Sequence, residues 1–342
     1  MIDMASVDLG IDLGTATVVV YDSTQGIVLK EPSVVAINTK TDEVLSVGEE
    51  AYRMLGRTPD KIRAVRPLQD GVISDFNSTE KMIQSFLRKV GGNQIIRPRV
   101  AICVPSGITE VESRAVVDAA VAAGARKVYL IEEPVAAALG AGIDISKPNG
   151  HIIVDIGGGT TDIAVLSLNG VVCKTSLKVA GDKFDQAIVR YVRSTYDVLI
   201  GEKMAERLKM DVGSVFFDED EDISTEIKGR NLRTGLPQKL TITRSELKEV
   251  LLEQAMNIVV AVQQILEKTP PELAADISVN GLVMTGGGSM LHGLDRLISH
   301  YTKVNAYLAE DPVDCVAIGT GKAFQYLGDF FDGFVTSSTH KH

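Results

Sequence analysis

This sequence predicts an α/β fold assembled from two related lobes, on three grounds. The chain has 342 residues, which at roughly 150 residues per domain makes about two domains. A strand–turn–strand–turn–strand unit, with aspartate and glycine in its first turn, occurs twice. Around those units stand apolar-periodic runs opened by helix-capping signals.

The first unit opens the chain. Val7 to Ile11 is a strand entering the turn Asp12-Leu13-Gly14-Thr15-Ala16, and a β-rich run from Thr17 to Tyr21 leaves it. Ser23-Thr24-Gln25-Gly26 turns that run back into Ile27-Val28-Leu29. Asn77-x-x-Glu80 has capping-box spacing and marks a helix start. Val100 to Val104 and Val128 to Ile131 are buried strands. The helix between them opens at Thr109-x-x-Glu112, carries Val116, Ala119, Ala120 and Ala123, and stops at Gly124. The second unit then repeats the first. Ile152-Ile153-Val154 enters Asp155-Ile156-Gly157-Gly158-Gly159-Thr160-Thr161-Asp162, Ile163 to Leu168 leaves, and Asn169-Gly170 turns into Val171-Val172. Asp12 and Asp155 stand 143 residues apart, far beyond a solenoid period, so the repeat is a duplicated domain. Thr243-x-x-Glu246 opens a helix bearing Leu247, Val250, Leu251 and Ile258, which Pro270-Pro271 ends. Gly281 to Thr285 is a last buried strand before Gly286-Gly287-Gly288-Ser289 and a helical run, Leu291 to Ile298. No low-complexity linker divides the chain, so the halves share a tight interface with a hinge.

Composition narrows the function. Apolar residues make up 45% and charged residues 23%, a chain with ample core material. Its longest unbroken apolar runs are a few residues, well short of the roughly 20 that a spanning helix needs. The first residues lack a signal core, so a cytosolic protein is expected. The net charge of −10 leaves no global basic footprint, and no nucleic-acid partner is expected. Cys103, Cys173 and Cys315 are scattered without CxxC spacing and read as reduced residues. The dispersed histidines assemble no zinc site.

Phosphate binding is the strongest chemical signal. The turns at Gly14-Thr15-Ala16 and Gly157-Gly158-Gly159-Thr160-Thr161 place small residues where a backbone can approach an anion closely. Their amides can cradle phosphate oxygens, with threonine hydroxyls as further donors. Each turn begins with an aspartate, Asp12 or Asp155, where hydrated Mg²⁺ can bridge carboxylate and phosphate. One such turn alone reads as an ordinary Gly-rich hairpin; two matched copies read as a site. Gly286, Gly287 and Gly288, with Ser289, let a flat adenine or ribose rest on the backbone, or serve loop geometry alone. Neither the Walker P-loop nor GxGxxG occurs at these places. The acid run Asp218 to Asp222 lacks the glycine and spacing of a calcium loop and reads as a solvated turn.

Two Asp-x-Gly phosphate turns followed by a Gly-Gly-Gly loop resemble the actin, sugar-kinase and heat-shock-chaperone ATPase superfamily. Within it the chain is similar to the bacterial actins of the MreB/Mbl family. The strings that carry the likeness are IDLGTA, GIVLKEPSVVAI, VGEEAYRMLGRTP, RPLQDGVISDF, LIEEPVAAALGAG, DIGGGTTDIAVLSL, GDKFDQAIVRY and TGGGSMLHGLD, and the likeness as a whole extends from about Asp8 to Gly328. The resemblance implies an actin-like duplicated two-lobed fold with mixed sheets, flanking helices and nucleotide in the interlobe cleft. Lobe I would cover 1–142, with a small subdomain at about 32–76. Lobe II would cover 143–328, with a small subdomain at about 181–245 and the chain end returning to lobe I; 329–342 is a loose tail.

Carried over residue by residue, the resemblance puts Gly14, Thr15, Ala16 and Thr17 on the first phosphate loop. Gly157, Gly158, Gly159, Thr160 and Thr161 fall on the second, and Asp12 and Asp155 on the carboxylates that hold Mg²⁺ through water. Glu206, Arg207, Leu208 and Lys209 match the adenosine-contacting helix, and Gly286, Gly287, Gly288 and Ser289 the adenosine loop. Glu133, helped by Thr160, matches the residue that orients the attacking water; Glu132 reads as a helix-start carboxylate beside a positive dipole end. Thr17-Val18 stands where the family usually has Asn-Thr, a departure at one corner of the loop.

Ile95 and Ile96 form an apolar pair in a Gly/Pro-bounded segment near Lys89, Arg97 and Arg99. By composition they are either the start of a buried strand or a membrane-inserting tip; the resemblance points to the family's membrane loop on an anionic leaflet. It also implies slow hydrolysis of ATP to ADP, self-assembly into paired antiparallel protofilaments, and cell-wall synthesis proteins as partners under the cell membrane in rod-shaped bacteria. The competing readings are a small-molecule kinase and a chaperone-type ATPase. The first needs a second substrate pocket with an aspartate base; the second needs a peptide-binding domain, and few residues follow Gly328.

Overall fold

A computed structural model describes residues 8–91, 97–218, 222–326 and 334–335. Both predicted repeat units form. In the first, β1 (Asp8–Leu13), β2 (Thr17–Asp22) and β3 (Gly26–Pro32) make an antiparallel meander. The chain then builds a small sheet from β4 (Val35–Asn38), β5 (Val44–Val47) and β6 (Ile62–Val65), with α1 (Glu49–Met54) packed on it. A short hairpin, β7 (Leu68–Gln69) and β8 (Val72–Ile73), leads to α2 (Phe76–Gly91). Two parallel strands, β9 (Arg99–Val104) and β10 (Lys127–Glu132), are joined by α3 (Glu110–Ala122), and α4 (Glu133–Gly140) crosses to the second half.

The second half repeats this plan. β11 (His151–Ile156), β12 (Thr161–Ser167) and β13 (Gly170–Leu177) form the meander, and α5 (Gly181–Tyr196) follows. β14 (Val198–Leu199), β15 (Ser224–Asn231) and β16 (Pro237–Thr243) make a second small sheet, with α6 (Glu202–Val212) inserted after β14. Next come α7 (Arg244–Lys268), α8 (Pro271–Asn280), β17 (Leu282–Thr285), α9 (Leu294–Thr302), β18 (Ala306–Leu308), α10 (Cys315–Lys322) and β19 (Phe334–Val335). The large sheets share a five-strand order, β3-β2-β1-β9-β10 in one lobe and β13-β12-β11-β17-β18 in the other, and β19 adds a sixth, antiparallel strand beside β10. In each, the first meander strand runs antiparallel to its hairpin partner and parallel to the strand on its other side. Duplication is thus visible in topology as well as in sequence.

Both threonine capping boxes form: Thr109 with Glu112 and Thr243 with Glu246 each exchange reciprocal bonds. The third does not. Asp75 takes the Ser78 N–H at 3.1 Å and its hydroxyl at 2.8 Å, so α2 begins at Phe76 and Asn77 is inside it. A carboxyl acceptor two residues upstream outcompetes the amide. Pro270-Pro271 ends α7, and its second proline also starts α8, where a missing N–H costs nothing. By length and composition α7 could cross a membrane, yet Leu247, Leu251, Ala255, Ile258, Val262 and Ile265 lie buried in the second lobe's core.

Each lobe has its own apolar core, and a third cluster joins them. It gathers Ile131, Val135 to Leu139, Ile153, Ala164, Val283 and Val316 around α4 and α10. Those two helices cross closely because Gly319 meets the Ala136 carbonyl, where a Cβ would collide. Where the halves meet, α4 and α10 thus form a packed helix pair beneath the cleft.

Candidate functional site

The two Asp-x-Gly turns face each other across the cleft between the lobes. In the first, Ser33 donates from Oγ to the Gly14 carbonyl at 2.5 Å and from N–H to the Ala16 carbonyl at 3.0 Å. Trans peptide geometry then aims the Thr15 N–H away from Ser33. In the second turn, the Gly157 N–H bonds the Thr160 carbonyl at 2.9 Å. The Gly157 and Gly158 carbonyls accept from Gly181 (3.1 Å) and Asp182 (2.8 Å) in the first turn of α5. This pins the loop to α5 and turns the Gly158 and Gly159 amides the other way. The loops touch: a Cβ on Gly158 would lie 2.7 Å from the Ala16 Cβ, and one on Gly159 would lie 2.5 Å from Thr15 Oγ1. Gly286 sits at φ 81°, backed by the Ile156 carbonyl, so a side chain there is excluded twice.

A cavity of about 420 Å³ lies between these turns, within the usual range for small-molecule sites. The expected residues Asp12, Gly14, Thr15, Ala16, Thr17, Glu133, Asp155, Gly157, Gly158, Gly159, Thr160, Glu206, Lys209, Gly286, Gly287 and Gly288 all line it. Four expected residues do not. Leu208 is buried in the second lobe's core beside Ala205 and Val212. Arg207 points outward and pairs with Asp211 at 3.2 Å. Thr161 donates to the Val179 carbonyl at 2.7 Å, and Ser289 to the Gly286 carbonyl at 2.6 Å. The last two hydroxyls brace the loops rather than face the cavity. Ile95 and Ile96 lie outside the described residues. Two of the cations beside that segment are engaged: Arg99 with Asp8 at 2.5 Å and Lys89 with Glu31 at 2.7 Å.

Carboxylates crowd the cleft floor. Cys103 Sγ donates to Asp12 Oδ1 at 3.2 Å, and Thr285 Oγ1 to Asp155 Oδ1 at 2.7 Å. Burial pushes the Asp12 carboxyl up to about 6, against the opposing pull of the Cys103 thiol. Burial also raises Asp155 to about 7; the Thr285 hydroxyl pulls it down and the Asp12 charge adds to the rise. Glu133, first residue of α4, is held well above the usual carboxylate range by burial and by Asp162, Asp155 and Asp12. Among the described residues no three metal-ligating side chains converge. An ion here would draw most of its ligands from water and a bound anion, which suits Mg²⁺ better than zinc.

Several functional candidates were not singled out from sequence. Asp162 is buried beside Glu133 and accepts the Ser106 N–H at 2.7 Å from the other lobe. Asp182 and Asp185, three apart on α5, face the cavity, and Lys209 bonds Asp185 at 3.0 Å and the Gly181 carbonyl at 3.2 Å. Met210, Met290, Val313 and Val316 supply its apolar wall. Glu132 does more than sit at a helix start: its carboxylate pairs with Lys174 of the second lobe at 2.5 Å. In the acid run, Asp218 pairs with Arg296, and Asp222 accepts from Ser245.

Two lobes built on the same five-strand order, closing on a cleft floored by their paired turns, define the actin-like fold. Comparison with known proteins narrows the class. The family model described as MreB/Mbl protein matches residues 6–330. The chain is 52% identical over 338 residues to the cell shape-determining protein MreB of Escherichia coli (strain K12), covering 96% of this chain and 97% of that protein. It is 51% identical over 316 residues to the cell shape-determining protein Mbl of Bacillus subtilis (strain 168), covering 92% and 94%. Its backbone matches crystal structures of MreB5 of Spiroplasma citri at 39% identity, covering 94% of this chain and 97% of that one. The TM-scores are 0.89 for the form bound to ADP and 0.87 for the form bound to AMPPNP. This chain belongs to the MreB/Mbl family.

Proposed function

We propose that the chain is a bacterial actin that binds ATP in the cleft, polymerises, and hydrolyses ATP slowly to ADP. One observation carries this reading: the two amide-rich turns meet over Asp12 and Asp155, with Glu133 beside them. MreB5, bound to ADP or AMPPNP, supplies a relative with a similar backbone and a nucleotide.

In this reading the amides of Thr15, Gly158 and Gly159 hold the phosphates from two sides, with Thr15 and Thr160 as hydroxyl donors. Glu206 and Lys209 face the sugar, and Gly286 to Gly288 support the adenosine. Asp12 and Asp155 would hold Mg²⁺ through water, and the ion when bound supplies positive charge against the phosphate oxygens. Glu133 orients the attacking water, with Thr160 adjacent and Asp162 bearing on its carboxyl. Phosphoryl transfer to water needs mainly positioning and charge stabilisation, which fixed amides and carboxyls provide. The chain is read as lobe I (1–142) and lobe II (143–328), each with its small sheet flanking the cleft mouth.

A two-lobed body with chemically distinct ends can make a heterologous, non-closing contact, the requirement for a filament. We read these filaments as lying on the inner face of the cell membrane, where Ile95 and Ile96 enter an anionic leaflet. There they organise cell-wall synthesis and maintain rod shape. The cell shape-determining relatives support that role. The test combines phosphate release, pelleting and electron microscopy of the full chain with ATP, Mg²⁺ and anionic vesicles. Phosphate release without any acceptor substrate, together with ATP-dependent filaments, is expected. Transfer of phosphate to a small acceptor by a monomer would overturn the reading.

A further inference from the structure

The lobes are tied at both ends of the cleft. At the floor, Ser106 bonds Asp162 and Lys174 pairs with Glu132. At the mouth, the tie is made by one tyrosine. Tyr52 donates from its hydroxyl to Glu206 Oε2 at 2.7 Å. Lys203 stands 3.7 Å from the centre of the Tyr52 ring and donates its ammonium to the Tyr52 carbonyl. Glu206 and Lys203 are three residues apart on α6, hence on one face.

Both sides of this tie are firmly mounted. Tyr52 packs on the small apolar cluster of Val34, Ala36 and Ala51, so it moves with the first lobe's small sheet. Ala205, Leu208 and Val212 fix α6 in the core of the second lobe. Outside the tie lies a second cavity of about 400 Å³, lined by Ala16, Thr17, Tyr52, Arg66, Lys203 and Glu206. Ala16, Thr17 and Glu206 also line the main cleft, so the two cavities adjoin there, and Tyr52, which lines the outer one, is bonded to the shared Glu206. Its lining carries three cations, Arg66, Lys203 and Arg207, against two carboxylates, Glu206 and Asp211, a net positive balance that favours a polyanion.

From this geometry we propose that Tyr52, held by Glu206 and Lys203, is a gate across the outer cavity through which a nucleoside diphosphate or triphosphate enters and leaves the cleft. The proposal rests on the nucleotide reading above. A gate differs from a binding contact in its kinetic signature. Opening must precede passage in either direction, so weakening the gate speeds binding and release together, whereas losing a contact speeds release alone. Burial and the Glu206 carboxylate hold the Tyr52 phenol protonated far above neutral pH, so the donor persists through the assay range.

The test measures stopped-flow binding and release of 1,N6-ethenoadenosine diphosphate, whose label sits on the base and leaves the ribose hydroxyls unmodified. The full chain is kept dilute, with light scattering confirming the absence of polymer. Hydrogen bonds to a charged acceptor are the stronger kind. Tyr52→Phe, which keeps the ring and the lysine contact, should therefore speed both rates by about tenfold and change affinity by less than about threefold. Lys203→Met, which keeps the stem, should act in the same direction and stands in if Tyr52→Phe fails to fold. Unchanged rates in the folded variants, or faster release with unchanged binding, would overturn the gate. If the wild-type chain takes up no nucleotide at all, the reading of the cleft fails first and the gate with it.

Discussion

Replacing Gly158 by alanine tests the cleft with a single methyl group. That carbon would stand 2.7 Å from the Ala16 Cβ, whereas carbon atoms in contact sit about 3.5–4.0 Å apart. The two turns must therefore part by about 1 Å. Neither yields freely: the Ala16 carbonyl takes the Ser33 N–H at 3.0 Å, and the Gly158 carbonyl takes the Asp182 N–H at 2.8 Å. Amides that grip one polyphosphate from opposite sides then lose their common fit, and a lost hydrogen bond to a charged group costs about 1.5–3 kcal/mol, up to roughly 10²-fold. Fluorescence titration with 1,N6-ethenoadenosine diphosphate should show affinity reduced by about that factor, with the unfolding midpoint close to wild type. The steric account also predicts a rescue. Adding Ala16→Gly removes the facing methyl, and the next atoms, Ala16 N and Cα, stand at 3.2 and 3.5 Å. The double variant should recover most of the lost affinity. Gly201→Ala, with nothing within 4 Å, should change nothing. Wild-type affinity in Gly158→Ala, or a double variant no better than the single, would refute the reasoning.

Three further outcomes are expected. Glu133→Gln should bind nucleotide normally but slow phosphate release by about 10²-fold; loss of binding and hydrolysis together in a phosphate-release assay would make Glu133 structural. Ile95→Ser with Ile96→Ser should leave ATP hydrolysis intact and release the protein from anionic vesicles. Each isoleucine contributes about 1.5–3 kcal/mol, so attachment is marginal until filaments multiply it; flotation at wild-type levels would remove the pair as the anchor. Asp12 and Asp155, raised to about 6 and about 7, bind protons more tightly folded than unfolded, where carboxyls titrate near 4. Their contribution to the stability of the nucleotide-free chain is therefore full below about pH 4 and lost as pH rises through 6 to 7. Binding of preformed Mg²⁺–ADP near pH 6.5 should release protons, an effect fading toward pH 8.5. Calorimetry in buffers of different ionisation enthalpy measures it, and proton uptake would contradict the assignment.

Much of the fold could be read locally. The Asp-x-Gly turns, their 143-residue separation and the Thr109 and Thr243 caps depend on residues a few positions apart. Steric freedom at glycine and reciprocal capping bonds act over that same range. Asp12 and Asp155 were legible for the same reason, since each stands near a strand end entering a recognisable turn; Glu133 came only from the family resemblance. Where a local signal competed with a neighbour, the reading slipped by one or two residues, as when Asp75 rather than Asn77 capped α2.

Packing fixed which side chains of an expected segment face the cleft. The segment Glu206 to Lys209 reaches the cavity, but helix phase divides it. Glu206 and Lys209 turn inward, Arg207 turns to solvent, and Leu208 joins Ala205 and Val212 in the core. The spacing of those three apolar residues already carried that phase. Nothing local carried the pairing of Lys174 with Glu132, of Ser106 with Asp162, or of Tyr52 with Glu206. These partners are 42 to 154 residues apart. They meet because two separately packed cores are closed on each other by α4 and α10, and a helix crossing sets the width of the cleft that every one of those pairs must span.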